Sequence, residues 1–188
     1  MLTPGKPDTE QSFAVTPVVK KDLSTLLIDE DSGLGMENDD MVDVLGGKYD
    51  DVIGDFNIID CRYPYEYNGG HIKTQHNKPT TNTNKASILI FHCEFSSERG
   101  PKLCRYLRAK DREMNSSNYP ALNYPEVYLL NGGYKEFFLS GNKQWCEPME
   151  YKPMLDSQHT EELRHFRAKS KSWTAGERRN KRSQRLNF

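Results

Sequence analysis

The chain has 188 residues, 35% of them hydrophobic, and a formal net charge of −1. That length suits one domain with polar tails, and the balanced charge gives no general attraction to nucleic acid. No apolar run approaches the ~20 residues of a membrane span, and the polar N-terminus lacks the apolar core of a signal peptide. Four widely spaced cysteines without a C-x-x-C pair argue against a zinc site, and a reducing compartment, cytosol or nucleus, is expected.

Apolar runs and helix breakers then predict the elements in chain order. Asn38 is expected to cap a short helix that stops at Gly46 and Gly47. A short apolar strand is predicted at residues 56–59, and the apolar runs at 87–91 and 127–130 predict buried strands, the former of the kind buried on both faces of a parallel sheet. A helix is predicted after Gly100 and Pro101, and a shorter one at residues 134–139. This order of strand, helix and strand predicts a small α/β domain around a parallel sheet.

Composition divides the chain into three parts. We expect a flexible N-terminal segment at residues 1–37, a folded domain at 38–155, and a basic C-terminal helix or tail at 156–188. Residues 164–185 hold nine lysines and arginines and a single acid. Such a tail can bind acidic surfaces or nucleic acid, serve as a nuclear address, or simply be solvated. Residues 73–86 are predicted to form a polar loop rich in threonine and asparagine.

The stretch CEFSSER, residues 93–99, links a predicted buried strand to the N-terminus of a helix. A loop wrapped onto a helix N-terminus aims several backbone N–H groups at one point, where the helix dipole adds positive potential. Arg99 supplies a planar fork that can hold two phosphate oxygens. The same field favours thiolate, so Cys93 is predicted to attack phosphorus while the amides and Arg99 stabilise the oxygens. The alternative is a strand-end cysteine with an unrelated arginine six positions later.

The stretch FHCEFSSERGP, residues 91–101, resembles the active-site signature of the M-phase inducer phosphatases, dual-specificity phosphatases that activate cyclin-dependent kinases. The resemblance extends to IIDCRYPYEYNGGHIK at residues 58–73 and to YPEVYLLNGGYKEFF at residues 124–138. It covers about residues 38–180, with a weak stretch at 74–86. The family resemblance implies a rhodanese-like fold, in which a central parallel sheet is flanked by helices and the loop lies at the strand ends.

The resemblance also implies the chemistry. Cys93 would be the nucleophile and Arg99 the phosphate clamp, and no cofactor or metal would be needed. The implied substrates are phosphothreonine and phosphotyrosine in a cyclin-dependent kinase bound to its cyclin, at entry into mitosis. The expected protein is a monomer of nucleus and cytoplasm, with phosphoserine-binding adaptor proteins as further partners. The phosphate cradle would be formed by the backbone amides of Glu94, Phe95, Ser96, Ser97, Glu98 and Arg99.

The general acid stays open at this point. Glu94 and Glu98 lie in the loop and are candidates, but two carboxylates beside a phosphate repel it unless they point outward or one is protonated. A proton supplied by the substrate or by a more distant group is an equally acceptable alternative. We therefore predict Cys93, Arg99, Glu98 and Glu94 as the catalytic set.

Further roles are implied by the same resemblance. Cys61, at the end of the preceding strand, would be a resolving thiol that forms a disulfide with oxidised Cys93; a buried structural cysteine is the alternative. Arg108 and Arg112, one turn apart on the helix after the loop, would dock the kinase–cyclin substrate together with Tyr119. The alternative for the two arginines is a solvated basic face.

Two departures from the family leave other functions open. Residues 74–86 are shorter than the usual family segment, so one face of the sheet is expected to be less covered. No first strand of the usual length is evident before residue 38. The competing functions are a sulfurtransferase, an arsenate reductase-like enzyme, and an inactive module that binds kinase–cyclin complexes. Within this fold, a loop of seven residues is associated with phosphate or arsenate, and one of six residues with sulfur transfer.

Overall fold

A computed structural model of the chain describes residues 34–74 and 85–170. Most of the predicted N-terminal segment, most of the predicted polar loop 73–86 and the basic cluster at 178–182 lie outside the described residues. The expectation that a shortened segment uncovers one face of the sheet therefore stays a prediction.

The described chain is built on a sheet of four parallel strands. These are β1 (Leu34–Met36), β2 (Ile53–Asp60), β4 (Ala86–His92) and β5 (Glu126–Leu130), in the spatial order β1-β5-β4-β2. Two further short strands, β3 (His71–Ile72) and β6 (Cys146–Glu147), form a separate antiparallel pair. The runs at 87–91 and 127–130 thus form the central strands β4 and β5, the run at 56–59 lies in the edge strand β2, and the predicted parallel α/β architecture is confirmed.

Five helices of the described residues pack around the sheet. They are α1 (Asn38–Leu45), α2 (Pro64–Asn68), α3 (Arg99–Met114), α4 (Gly133–Leu139) and α5, whose described part is residues 160–170. Helix α1 has Glu37 as its N-cap rather than Asn38, and it ends at Gly46 as expected. Short 3-10 turns at Lys143–Trp145 and Ser157–His159 lie between α4 and α5.

The two central strands are buried on both faces because their alternate side chains enter two different cores. On one face, Ile90 and Tyr128 pack in a large cluster with residues of α1 and α4, such as Met41 and Phe137. On the other face, a smaller cluster packs against α3 and contains Phe91, Cys104, Val127 and Leu129. This two-sided burial explains why the strands read as continuous apolar runs without alternation.

The domain extends beyond both predicted boundaries. Strand β1 pairs with β5, and its Met36 is fully buried, so the sheet begins before residue 38. Helix α5 also packs on the domain rather than extending as a solvated tail: Leu163 is buried, and the ring of Phe166 stacks on that of Tyr63 with centroids 5.1 Å apart. Packed structure thus continues on both sides of residues 38 and 155, and the division of the chain into three parts stays a prediction.

Candidate active site

The thiol loop, residues 93–99, lies between the end of β4 and the start of α3, as the sequence predicts. Cys93 is the first residue after the central strand and is 3% exposed. Helix α3 begins at Arg99, so the loop sits directly on the helix N-terminus, where unpaired N–H groups and the helix dipole favour negative charge. The loop is therefore placed where an anion is stabilised.

The first two carbonyls of the loop are held by the N-terminus of α4. Tyr134 N–H donates to the Cys93 carbonyl at 2.9 Å, and Lys135 N–H donates to the Glu94 carbonyl at 3.0 Å. In a trans peptide the carbonyl and the following N–H point in opposite directions, so the N–H groups of Glu94 and Phe95 point away from α4. The approach requires Gly133, because a Cβ there would lie 2.5 Å from the Cys93 oxygen.

The middle of the loop turns through a left-handed residue. Ser96 has a φ of +52°, which is unusual outside glycine and brings successive N–H groups to one side of the chain. Within the described residues, the N–H groups of residues 94–98 have no hydrogen-bond acceptor, and the buried Ser96 hydroxyl has none either. A set of unpaired N–H donors in one short loop is a binding site for the oxygens of an anion.

Arg99 is held in place by two side chains that the sequence did not reveal. Its Nη1 donates to Glu66 Oε2 at 2.5 Å and its Nη2 donates to Glu66 Oε1 at 3.0 Å. Its guanidinium carbon also lies 4.9 Å from the centroid of the Tyr63 ring. Burial would lower the pKa of Arg99, but the hydrogen bonds and charge of Glu66 raise it above the ordinary value. The guanidinium is therefore a fixed cation beside Cys93.

The two candidate acids of the loop have different surroundings. Glu94 is buried, and its carboxylate accepts hydrogen bonds from the Tyr151 hydroxyl and, at 3.2 Å, from Met154 N–H. Both oxygens of Glu94 are thus acceptors that anchor residues 151–154 to the loop. Glu98 is exposed at the N-cap of α3. This geometry favours Glu98 over Glu94 as a proton donor, while the role itself stays a prediction.

Cys61 lies where the sequence places it, beside Cys93. The register of β2 and β4 pairs Asp60 with His92, so the two cysteines follow paired residues on adjacent parallel strands. Cys61 N–H donates to the His92 carbonyl at 2.8 Å. Burial, together with the charges of the neighbouring Cys93 and Asp60, raises the pKa of the Cys61 thiol to about 12. Cys61 is therefore a neutral thiol near pH 7, and its role as a resolving thiol stays a prediction.

A buried polar cluster supports the strand ends beneath the loop. Asp60 pairs with Arg62, whose Nη2 lies 2.6 Å from Asp60 Oδ2 and whose guanidinium carbon stacks 3.9 Å from the Tyr134 ring centroid. His92 is fully buried, with Nε2 3.7 Å from Asp60 Oδ2 and Nδ1 3.4 Å from the Cys93 carbonyl. Burial lowers the pKa of His92, although the Asp60 charge opposes the shift. The cluster joins β2, the loop and α4 into one unit.

The predicted docking surface needs a correction. Arg108 is not on an exposed face of α3: its residue is 9% exposed, and its Nη1 and Nη2 donate to the carbonyls of Tyr124 and Pro125 at 2.5 and 2.9 Å. Its guanidinium therefore ties α3 to the segment before β5. Arg112 and Tyr119 are exposed, and their docking role stays a prediction.

A groove of about 490 Å³ opens beside the thiol loop, between α3 and α5. Its wall is aromatic and basic, and the apolar Leu103 of α3 is 41% exposed there. Its lining includes Cys61, Tyr63, Arg99, Lys102, Tyr106 and Phe166. The groove gives solvent a route to the edge of the active site.

The described residues contain no cluster of three or more His, Cys, Asp or Glu side chains that could hold a metal ion. Among the helices in the same residues, none is long and apolar enough to cross a membrane.

The chain is similar to known proteins over most of its length. Residues 47–140 match the rhodanese-like domain family. The chain is 45% identical over 188 residues to the Cdc25-like protein phosphatase twine of Drosophila melanogaster, covering 92% of this chain and 41% of that protein. It is 51% identical over 152 residues to human M-phase inducer phosphatase 1, covering 73% of this chain and 28% of that protein. The As-Sb reductase structure from Leishmania major superposes with a TM-score of 0.39 over 58% of this chain and 80% of that one, at 23% identity.

The chain spans less than half the length of these curated relatives. The matched residues 47–140 nevertheless contain three of the four strands of the parallel sheet, the thiol loop and the helix that begins at Arg99. The chain has a rhodanese-like domain and belongs to the M-phase inducer phosphatase family.

Proposed function

We propose that this chain is a dual-specificity protein phosphatase that hydrolyses phosphothreonine and phosphotyrosine through a phosphocysteine intermediate. The observation that carries the proposal is the seven-residue loop between β4 and α3, which places Cys93 among unpaired N–H donors and ends in Arg99. The names of the relatives, which are phosphatases, support the same reaction.

In the first step the Cys93 thiolate attacks phosphorus, forming an S–P bond while the P–O bond to the substrate breaks. The three equatorial oxygens carry the negative charge, and the loop N–H groups and the Arg99 guanidinium stabilise it in the transition state. The leaving oxygen takes a proton, for which Glu98 is the candidate donor. Water then attacks the phosphocysteine, and inorganic phosphate leaves as the thiolate is restored.

For the substrate we propose a cyclin-dependent kinase bound to its cyclin, dephosphorylated at inhibitory threonine and tyrosine to promote entry into mitosis. Phe95 and Glu98 of the loop are exposed, so the loop meets a protein substrate at the surface, and we expect it to bind little of that substrate beyond the phosphate. Remote contacts would then supply affinity, and the exposed Arg112 and Tyr119 remain the candidates. Nucleus and cytoplasm remain the proposed locations.

The test compares a small aryl phosphate with a phosphorylated kinase–cyclin complex. Wild-type chain should hydrolyse both, Cys93→Ser should abolish both activities, and Arg99→Lys should lower both severely because an ammonium cannot hold two oxygens side by side. A wild-type chain inert on both substrates would refute the proposal and favour an inactive binding module.

An arsenate reductase-like enzyme is the second candidate, because the same oxyanion cradle fits arsenate as well as phosphate. It requires an external thiol such as glutathione to supply the electrons. Arsenate-dependent oxidation of glutathione by a chain that leaves phosphorylated kinase untouched would favour this candidate over the phosphatase.

A further inference from the structure

We propose that Glu66 is a positioning residue for the phosphate-binding arginine: it holds Arg99 by the end of its guanidinium and leaves the side edge free to bind the phosphate. The inference rests on the proposed phosphatase function and adds a residue that lies outside the catalytic loop, in α2.

Glu66 is anchored on both sides of its carboxylate. The side chain is fully buried, and Oε2 accepts a hydrogen bond from Tyr63 N–H at 2.9 Å at the start of α2. The same carboxylate receives Nη1 and Nη2 of Arg99 at 2.5 and 3.0 Å. A buried carboxylate that is bound to its own helix cannot follow Arg99 if the arginine swings, so it fixes where the guanidinium lies.

The geometry of the pair leaves Arg99 able to bind a second anion. A guanidinium has five N–H donors, and the end-on pair with Glu66 uses one on each terminal nitrogen. The Nε–H and one remaining terminal N–H point the same way along the side edge, where they form a second fork for two oxygens. The Arg99 side chain is 21% exposed and lines the groove beside the thiol loop, so an anion from solvent can reach the guanidinium.

Tyr63 restrains the Arg99 guanidinium on one face, where Glu66 makes no contact with it. Its ring lies against one face of the guanidinium, with the guanidinium carbon 4.9 Å from the ring centroid. The ring is itself stacked on Phe166 of α5 at an interplanar angle of 11°. Glu66 therefore fixes the end of the guanidinium, and Tyr63 fixes one of its faces.

Such a hold matters for the rate because an unrestrained arginine would have to be ordered at every turnover. A donor that is already aimed at the developing charge needs no reorganisation when the S–P bond forms. The contribution of Glu66 should therefore depend on Arg99 and disappear when the guanidinium is removed.

The experiment is a double-mutant cycle on aryl phosphate hydrolysis. Glu66→Ala should lower kcat/KM at least tenfold, raising KM and lowering kcat, because it removes two hydrogen bonds to a charged group. In an Arg99→Ala background the same change should alter kcat/KM less than threefold. Glu113→Ala, which removes an exposed acid of α3, is the matched control and should leave activity unchanged.

Tungstate affinity, measured by calorimetry, is the second readout and needs no turnover. Glu66→Ala should weaken tungstate binding at least tenfold with Arg99 present and less than threefold without it. An equal loss in both backgrounds would show that Glu66 only supports the fold and would overturn the proposal. If wild-type chain binds tungstate with this dependence but hydrolyses nothing, the phosphatase proposal fails and the positioning role stands.

Glu66→Gln keeps the test decisive if Glu66→Ala does not fold. The amide oxygen still accepts from Tyr63 N–H, but the amide nitrogen cannot accept from Arg99, so half of the end-on pair is lost. A loss of threefold to tenfold in both kcat/KM and tungstate affinity is expected. Wild-type values in this variant would overturn the proposal.

Discussion

Replacing Arg108 separates the structural role seen here from the docking role that the sequence implies. The guanidinium donates to two backbone carbonyls, of Tyr124 and Pro125, in a residue that is 9% exposed. A hydrogen bond to a charged group contributes about 1.5–3 kcal/mol, and Arg108→Ala also leaves two carbonyls without their donor. We therefore expect the free energy of unfolding to fall by about 3 kcal/mol, which lowers Tm by about 6–12 °C in a chain of this size.

The assay is thermal unfolding of Arg108→Ala followed by circular dichroism, with Arg112→Ala as the matched control one turn along α3. The exposed Arg112 should change stability by less than about 0.5 kcal/mol. Below the unfolding transition, Arg108→Ala should affect the aryl phosphate and the kinase–cyclin complex equally. The reasoning would be refuted by a Tm within 1 °C of wild type together with a selective loss on the protein substrate.

Three further predictions address the thiol pair, the acid and the buried histidine. After mild peroxide, wild-type chain should form a Cys61–Cys93 disulfide, detectable by mass spectrometry, and recover activity with a thiol reductant; Cys61→Ser should not recover, because its Cys93 oxidises further. Glu98→Gln should slow phosphothreonine hydrolysis about a hundredfold but spare aryl phosphates with good leaving groups, and equal effects on both would exclude Glu98 as the acid. Burial lowers the pKa of His92 in the folded chain, so near pH 6.5 only the unfolded chain binds a proton at this histidine. The free energy of unfolding, measured in urea, should therefore fall from pH 7 to pH 5, by at most about 1.4 kcal/mol per pH unit for this group. A free energy of unfolding that does not change over this range would contradict the prediction.

The sheet and the thiol loop could be predicted because the sequence patterns that specify them lie within short stretches of the chain. A run such as SILIF is apolar at every position since alternate residues enter two cores, and the structure has that two-sided burial at Ile90 and Phe91. The neighbourhood of Cys61 and Cys93 was predictable for a related reason. Both follow a strand of one parallel sheet, and equivalent ends of adjacent parallel strands lie about 4.8 Å apart.

The position of Arg108 was mispredicted although the sequence carried a signal for it. The buried stripe of α3 runs through Pro101, Cys104, Arg108 and Asp111, at helical spacings of three and four. Leu107 packs against the second core while Leu103 is exposed, so hydrophobicity alone does not identify this stripe. The spacing from Cys104 would have placed Arg108 on its face, since a long arginine stem packs well while its head finds backbone carbonyls.

The contact between Glu66 and Arg99 could not have been predicted, because it depends on how three separate segments meet. The loop carbonyls are held by the N-terminus of α4, the guanidinium is held by α2, and the aromatic ring beneath it is supported by α5. No spacing along the chain relates residues 66, 99, 134 and 166. These segments hold the loop carbonyls and the arginine from outside, so the loop needs little internal bonding of its own. Its N–H groups therefore remain unpaired within the described structure, and the site can stay preorganised for an anion while contributing few contacts to the fold.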